Sequence, residues 1–160
     1  MYYYNLLTTF LMAMLPVGEL RLSIPMAIHQ LQVDWYNAWL FSILGNSFIT
    51  LILIGIIYYY GINRLKYFLG KIPFVGFVFR KWENSTIKKS EKIQKWGYLG
   101  LLYFVSLPLP VTGAWTAVLI AFFLDLKPFK TFFSIMCGLM VSATIVTIIS
   151  LYLPHFFGYN

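Results

Sequence analysis

The chain has 160 residues, of which 60% are apolar, 20% aromatic and only 11% charged, with a mean hydropathy of +0.76. This excludes a soluble globular domain, where about a quarter of residues are charged, and it excludes disorder, which needs low hydrophobicity. The net charge of +7 resides entirely in residues 64–95, which hold nine basic and two acidic side chains, a confinement that argues against nucleic acid as a partner and for a membrane protein with one basic loop.

Residues 6–33 are apolar but broken. The breaker Leu15-Pro16-Val17-Gly18-Glu19-Leu20-Arg21 leaves two arms, 1–15 and Pro25–Val33, of at most about 22 and 13 Å of helix, neither enough to cross roughly 30 Å of hydrocarbon. Ala38–Tyr60 is a clean spanning helix, about 34 Å long, that ends in the interfacial aromatics Tyr58-Tyr59-Tyr60. Residues 64–80 mix basic and aromatic side chains and read as an amphipathic segment on an anionic leaflet. Asn84-Ser85-Thr86 then precede a helix over 87–96, with a Glu91–Lys95 pair and a stop at Gly97.

The segment 97–124 repeats the broken design, its breaker running from Ser106 through Pro108 and Pro110 to Gly113 and its second arm from Ala114 to Leu124. Thr131–Leu153 is the second spanning helix. Irregular backbone at membrane depth must be buried in protein or line a cavity, so each broken segment reads as a re-entrant hairpin in preference to one kinked span.

An internal repeat supports that order. Leu15-Pro16-Val17 recurs as Leu109-Pro110-Val111, Phe41-Ser42-Ile43 as Phe133-Ser134-Ile135, and Gly45 maps on Gly138. The expected fold is an all-α integral membrane domain over 1–160: two repeats, 1–60 and 97–160, each a re-entrant helical hairpin followed by a transmembrane helix, joined by the basic linker 61–96. The positive-inside rule puts 64–95 in the cytoplasm. Both termini of this multi-pass plasma-membrane protein then lie outside and the repeats are inverted, the arrangement in which secondary transporters bind substrate between discontinuous helices. The start MYYYN lacks the basic region of a signal peptide. Cys137 lies inside a span and reads as packing.

Glu19 and Arg21 are the only charges in the first 33 residues and both fall in the first breaker, where ionisable groups are costly and normally functional. A structural ion pair that closes the hairpin is the plainer reading. At i,i+2 the two side chains point apart on a regular helix, so only an unwound loop lets both face one cavity. Each returning arm presents a helix N-terminus near the midplane, with Ser23 and Pro25 in the first hairpin and Thr112, Gly113 and Trp115 in the second. Helix N-termini attract anions, and Arg21 suits phosphate or carboxylate. Glu19, placed between burial and the charge of Arg21, is the candidate to carry a coupling proton.

Asn46 lies mid-helix and could bond across to the hairpins. Pro16, Gly18, Pro108 and Pro110 are the hairpin breakers. Gly138 and Ser142 form a small-residue packing face, Thr116 could line the cavity, and His29 is a weaker proton-relay candidate than an interfacial residue. There is no Gly-rich phosphate loop, HExxH, CxxC or Ser/His/Asp set, so no enzymatic activity, cofactor or metal is expected. Two spans can hardly enclose two unwound loops alone, so a homodimer is expected.

The pairing of LPVGELRLSIPMAI (15–28) with LPLPVTGAWTA (107–117), each ahead of a spanning helix, resembles the family of small multidrug export proteins over nearly the whole chain. That family is similar to the DedA, or VTT-domain, membrane proteins, which share two re-entrant hairpins in inverted repeats. Some of these are implicated in recycling polyprenyl phosphate carriers and others in lipid scrambling. The chain departs from the DedA pattern in having no arginine between Pro108 and Trp115, so Arg21 would have to act with the helix N-termini or a second subunit.

Three functions are therefore expected in order. The first is a proton-coupled transporter or flippase for an anionic, phosphorylated lipid carrier among the membrane lipids. The second is an exporter of cationic drugs, with Glu19 as counter-charge and Trp115 supplying cation–π contact. The third is a non-transporting scaffold.

Overall fold

A computed structural model describes residues 2–16, 18–61, 97–109 and 113–152. Among them are six helices: α1 (Tyr2–Ala13), α2 (Glu19–His29), α3 (Trp35–Tyr60), α4 (Gly97–Ser106), α5 (Ala114–Phe123) and α6 (Pro128–Tyr152). The described residues contain no strand. The basic segment 64–95, with its expected interfacial stretch and helix, lies outside the described residues, as do Pro110 and Thr112.

α1 and α2 fold back on one another. At the open end Asn5 Nδ2 donates to Leu31 O at 2.8 Å and Tyr2 OH to Asp34 at 3.0 Å, so the start of α1 meets the end of α2. At the closed end α1 tightens through Met14 N→Leu11 O and Leu15 N→Met12 O bonds, and the chain reverses at Gly18 with φ +96°, a conformation that favours glycine. The returning helix thus begins at Glu19, well before the expected start at Pro25. Pro25 sits inside α2 and removes the single bond that residue 25 would have given to Arg21 O. Ser23 is not a cap: its buried hydroxyl donates to Ser42 Oγ of α3 at 2.7 Å.

α4 and α5 form the second hairpin, with boundaries close to those expected. Tyr98 at the start of α4 accepts at OH from Lys127 N, just beyond α5, at 3.0 Å, and at its backbone O from Ser134 Oγ of α6. α5 is buried nearly all round, which is how a helix at the centre of a bundle reads.

α3 and α6 are the long helices. Their 26 and 25 residues span roughly 39 and 37 Å at about 1.5 Å each, enough to cross a membrane, and both are strongly apolar on average. They run antiparallel, since Trp39 Nε1 donates to Thr144 Oγ1 at 3.3 Å while Ser47 Oγ lies 2.8 Å from Met136 Sδ. Each receives the first arm of its own hairpin at a glycine. A Cβ on Gly45 would strike the Phe10 carbonyl of α1, and one on Gly138 would meet Leu102 O and Val105 of α4. Gly138 is therefore a packing residue within the chain.

The outward faces of α3 and α6 are apolar, with Leu44, Phe48, Leu51, Phe133, Met140 and Ile148 exposed. An exposed surface of this kind is what a lipid-facing helix carries. Among the described residues the charged side chains at the bundle's periphery are Asp34 at one end and Asp125, Lys127 and Lys130 at the other. Glu19 and Arg21 alone lie between them, level with the middle of α3.

Candidate functional site

The site forms where the two hairpin breaks meet. Glu19 is the first residue of α2 and has φ +50°, a sparsely occupied region for a residue with a side chain. Such outliers persist only where the surroundings impose them. Here the imposed backbone takes Glu19 off the regular course of α2, so that Glu19 and Arg21 converge although they are two residues apart.

The Glu19 carboxylate crosses to the second hairpin. Oε2 accepts from Ala114 N at 3.2 Å and Oε1 from Trp115 N at 3.4 Å, the first two N–H groups of α5. These amides have no partner within their own helix, and the helix dipole makes that end attractive to an anion. Gly113 stands before them with φ −95° and ψ −171°, an extended conformation open to any residue. What position 113 requires is space, because a Cβ there would overlap the Glu19 carboxyl group.

Arg21 completes the centre. Its Nη1 lies 4.0 Å from Glu19 Oε2, and its Nη2 donates to Leu107 O at the second break at 3.1 Å. Trp115 makes the reciprocal link, its indole Nε1 donating to Met14 O at the first break at 3.2 Å. The first turn of each returning helix thus holds the break of the other hairpin. Asn46 of α3 is fully buried, with neither amide atom in hydrogen-bonding geometry, and its amide lies near enough to Glu19 to act on the carboxylate.

Of the expected site residues, Glu19, Arg21, Asn46, Gly113 and Trp115 are brought together. Gly18 makes the turn, Pro16 is exposed on the closed end of the first hairpin, and Pro108 lies at the second break. Ser23 and Pro25 are buried along α2, and Thr116 is buried in α5. His29 is at the far end of α2, where Nε2 pairs with Ser150 O at 2.9 Å. The carbonyls of Met14 and Leu107 were not anticipated, since no sequence pattern marks a backbone acceptor. Among the described residues no group of three or more His, Cys, Asp or Glu could hold a metal ion.

A carboxylate seated on the amides at one helix start, with a guanidinium alongside and apolar helices around it, is an arrangement suited to the centre of a helical membrane protein. The sequence over residues 19–145 matches the family described as "Putative small multi-drug export protein", and the chain belongs to that family. No curated protein and no solved structure matches the chain.

Proposed function

We propose that the chain is a secondary transporter or flippase for an anionic, phosphorylated lipid carrier of the polyprenyl phosphate type, coupled to protons through Glu19. One observation carries this reading: the free amides of α5 and the Arg21 guanidinium converge near the middle of α3 on a position that already holds an anion, the Glu19 carboxylate. Donors arranged this way suit phosphate.

The reading includes the arrangement of the repeats. Antiparallel α3 and α6, the paired glycines 45 and 138, and the reciprocal links Arg21–Leu107 and Trp115–Met14 support two inverted repeats with re-entrant hairpins, the design also found in DedA proteins. Tyr58 OH donating to Leu126 O at 2.6 Å and His29 paired with Ser150 O extend the same equivalence to the helix ends. A cytoplasmic 64–95 segment and outside termini follow from the positive-inside rule, and the plasma membrane is part of the same proposal. A homodimer belongs to the same proposal, since two long helices give one copy little protein with which to shield a head group.

The family description favours a second reading, export of a cationic drug with Glu19 as counter-charge. Arg21 at 4.0 Å from Glu19 opposes it. Movement of labelled polyprenyl phosphate between the leaflets of proteoliposomes tests the first reading. It predicts movement by the native protein that Arg21→Ala abolishes; no movement above empty liposomes by folded protein would overturn it.

A further inference from the structure

An anion entering this site needs the amides of Ala114 and Trp115, and the Glu19 carboxylate holds both. The two bonds, at 3.2 and 3.4 Å, are longer than the roughly 2.7–2.9 Å of tight charge-assisted bonds. An independent feature lies near Glu19. Asn46 is fully buried with neither amide atom bonded, and a buried amide left in that state is costly. Its Oδ1 and Nδ2 offer one acceptor and two donor hydrogens; neither atom is in hydrogen-bonding geometry, although the amide lies near enough to Glu19 to act on its carboxylate.

We infer that the Glu19 carboxylate is a tethered stand-in for the head group of the substrate, and that the site accepts the substrate anion only together with a proton on Glu19. The inference rests on the anion-transport reading above and specifies how its proton and substrate are linked. On loading, a proton from water passes to Glu19 Oε2. The neutral carboxyl no longer repels an arriving anion and loses its charge-assisted hold on α5. It turns to Asn46, its new O–H donating to Oδ1, while Asn46 Nδ2, the amides of Ala114 and Trp115 and the Arg21 guanidinium face the head group. On release the anion departs, Glu19 returns its proton to water and its carboxylate resumes its place on α5. Anion and proton therefore travel in the same direction.

The groups that face Glu19 are few. Arg21 on its own helix is the charged one acting on it among the described residues; α3 contributes the Asn46 amide and α5 its backbone N–H groups.

The test is equilibrium binding of a short isoprenyl methyl phosphodiester, whose single charge is constant between about pH 5 and 8, to the purified full-length chain in lipid nanodiscs. The native protein should lose up to about tenfold in affinity per pH unit once Glu19 is ionised, and calorimetry in buffers of different ionisation heat should register uptake of about one proton per anion bound there. Glu19→Gln should bind at every pH about as tightly as the native chain at its acid limit, and Asn46→Leu should weaken binding of the anion. Affinity independent of pH with no proton uptake by the native protein, a native pH slope retained in Glu19→Gln, or no binding of the phosphodiester at any pH would overturn the inference. The proton count needs no variant and so survives misfolding of either one. Proton uptake on binding without movement of polyprenyl phosphate in liposomes would remove that substrate and leave the inference standing; gradient-driven movement without uptake would do the reverse.

Discussion

Gly113 and the carboxyl group of Glu19 share one space, 94 positions apart in the chain, because the missing Cβ of one is filled by the side chain of the other. The two hairpins can dock at this distance only while position 113 has no side chain, and α5 gains a capping anion in return. Gly113→Ala should therefore destabilise the protein by about 1–3 kcal/mol, the range for overpacking. The same change in a Glu19→Ala background should cost less, with a coupling of about 1–2 kcal/mol between the sites. Unfolding of the four proteins in one detergent measures the cycle; additive effects would contradict the shared space.

Arg21 divides its guanidinium between Leu107 O and Glu19. A lysine ammonium is a single point of charge without the planar fork. Arg21→Lys should keep the net charge and the fold, yet lose at least about tenfold in transport, the size of one such bond at about 1.4 kcal/mol. Initial rates in liposomes decide this, and native rates in the lysine variant would show that charge alone suffices.

Trp115 links the second hairpin to Met14 O through its indole N–H. Trp115→Phe keeps an aromatic ring and deletes the donor, so stability should fall by about 1 kcal/mol. The break at Met14 should also exchange its amide hydrogens faster, which hydrogen-exchange mass spectrometry reads directly.

The glycines of α3 give an internal control. Alanine at 45 places a Cβ on the backbone oxygen of Phe10, which cannot rotate aside, whereas Gly55 has nothing within 4 Å. Gly45→Ala should cost about 1–3 kcal/mol, and Gly55→Ala should be neutral or stabilising by up to about 1 kcal/mol. Equal effects in thermal unfolding would mean that α1 does not seat on Gly45.

The long helices were legible because an unbroken apolar run has only one use at membrane depth. They begin three residues earlier than the core of each run implied, α3 at Trp35 directly after Asp34 and α6 at Pro128, a residue well suited to a first helical position. The start of α5 after Gly113 was also legible. The start of α2 was not: Pro25 reads as a boundary in sequence, but a proline inside a short helix costs one hydrogen bond, and the reversal is made instead by Gly18. The convergence of Glu19 on α5 depends on how two hairpins dock, and residue spacing carries no such information. Arg21 and Trp115 make the two reciprocal links between the hairpins with different side chains, so a search for identical residues passes over them. What could be read was the cost of burying Glu19 and Arg21, and that cost is what singles them out as candidates.

In the proposed mechanism an anion crosses the membrane with a proton carried by Glu19. The most direct measurement is uptake of labelled polyprenyl phosphate into proteoliposomes against its own gradient under an imposed pH difference, with an internal pH dye in the same vesicles. The native chain should accumulate the lipid phosphate in the acid-to-alkaline direction with simultaneous acidification of the interior, and Glu19→Gln should move it only down its gradient with no acidification. Accumulation that persists in Glu19→Gln, or native movement unaffected by the pH difference, would mean that Glu19 carries no coupled proton.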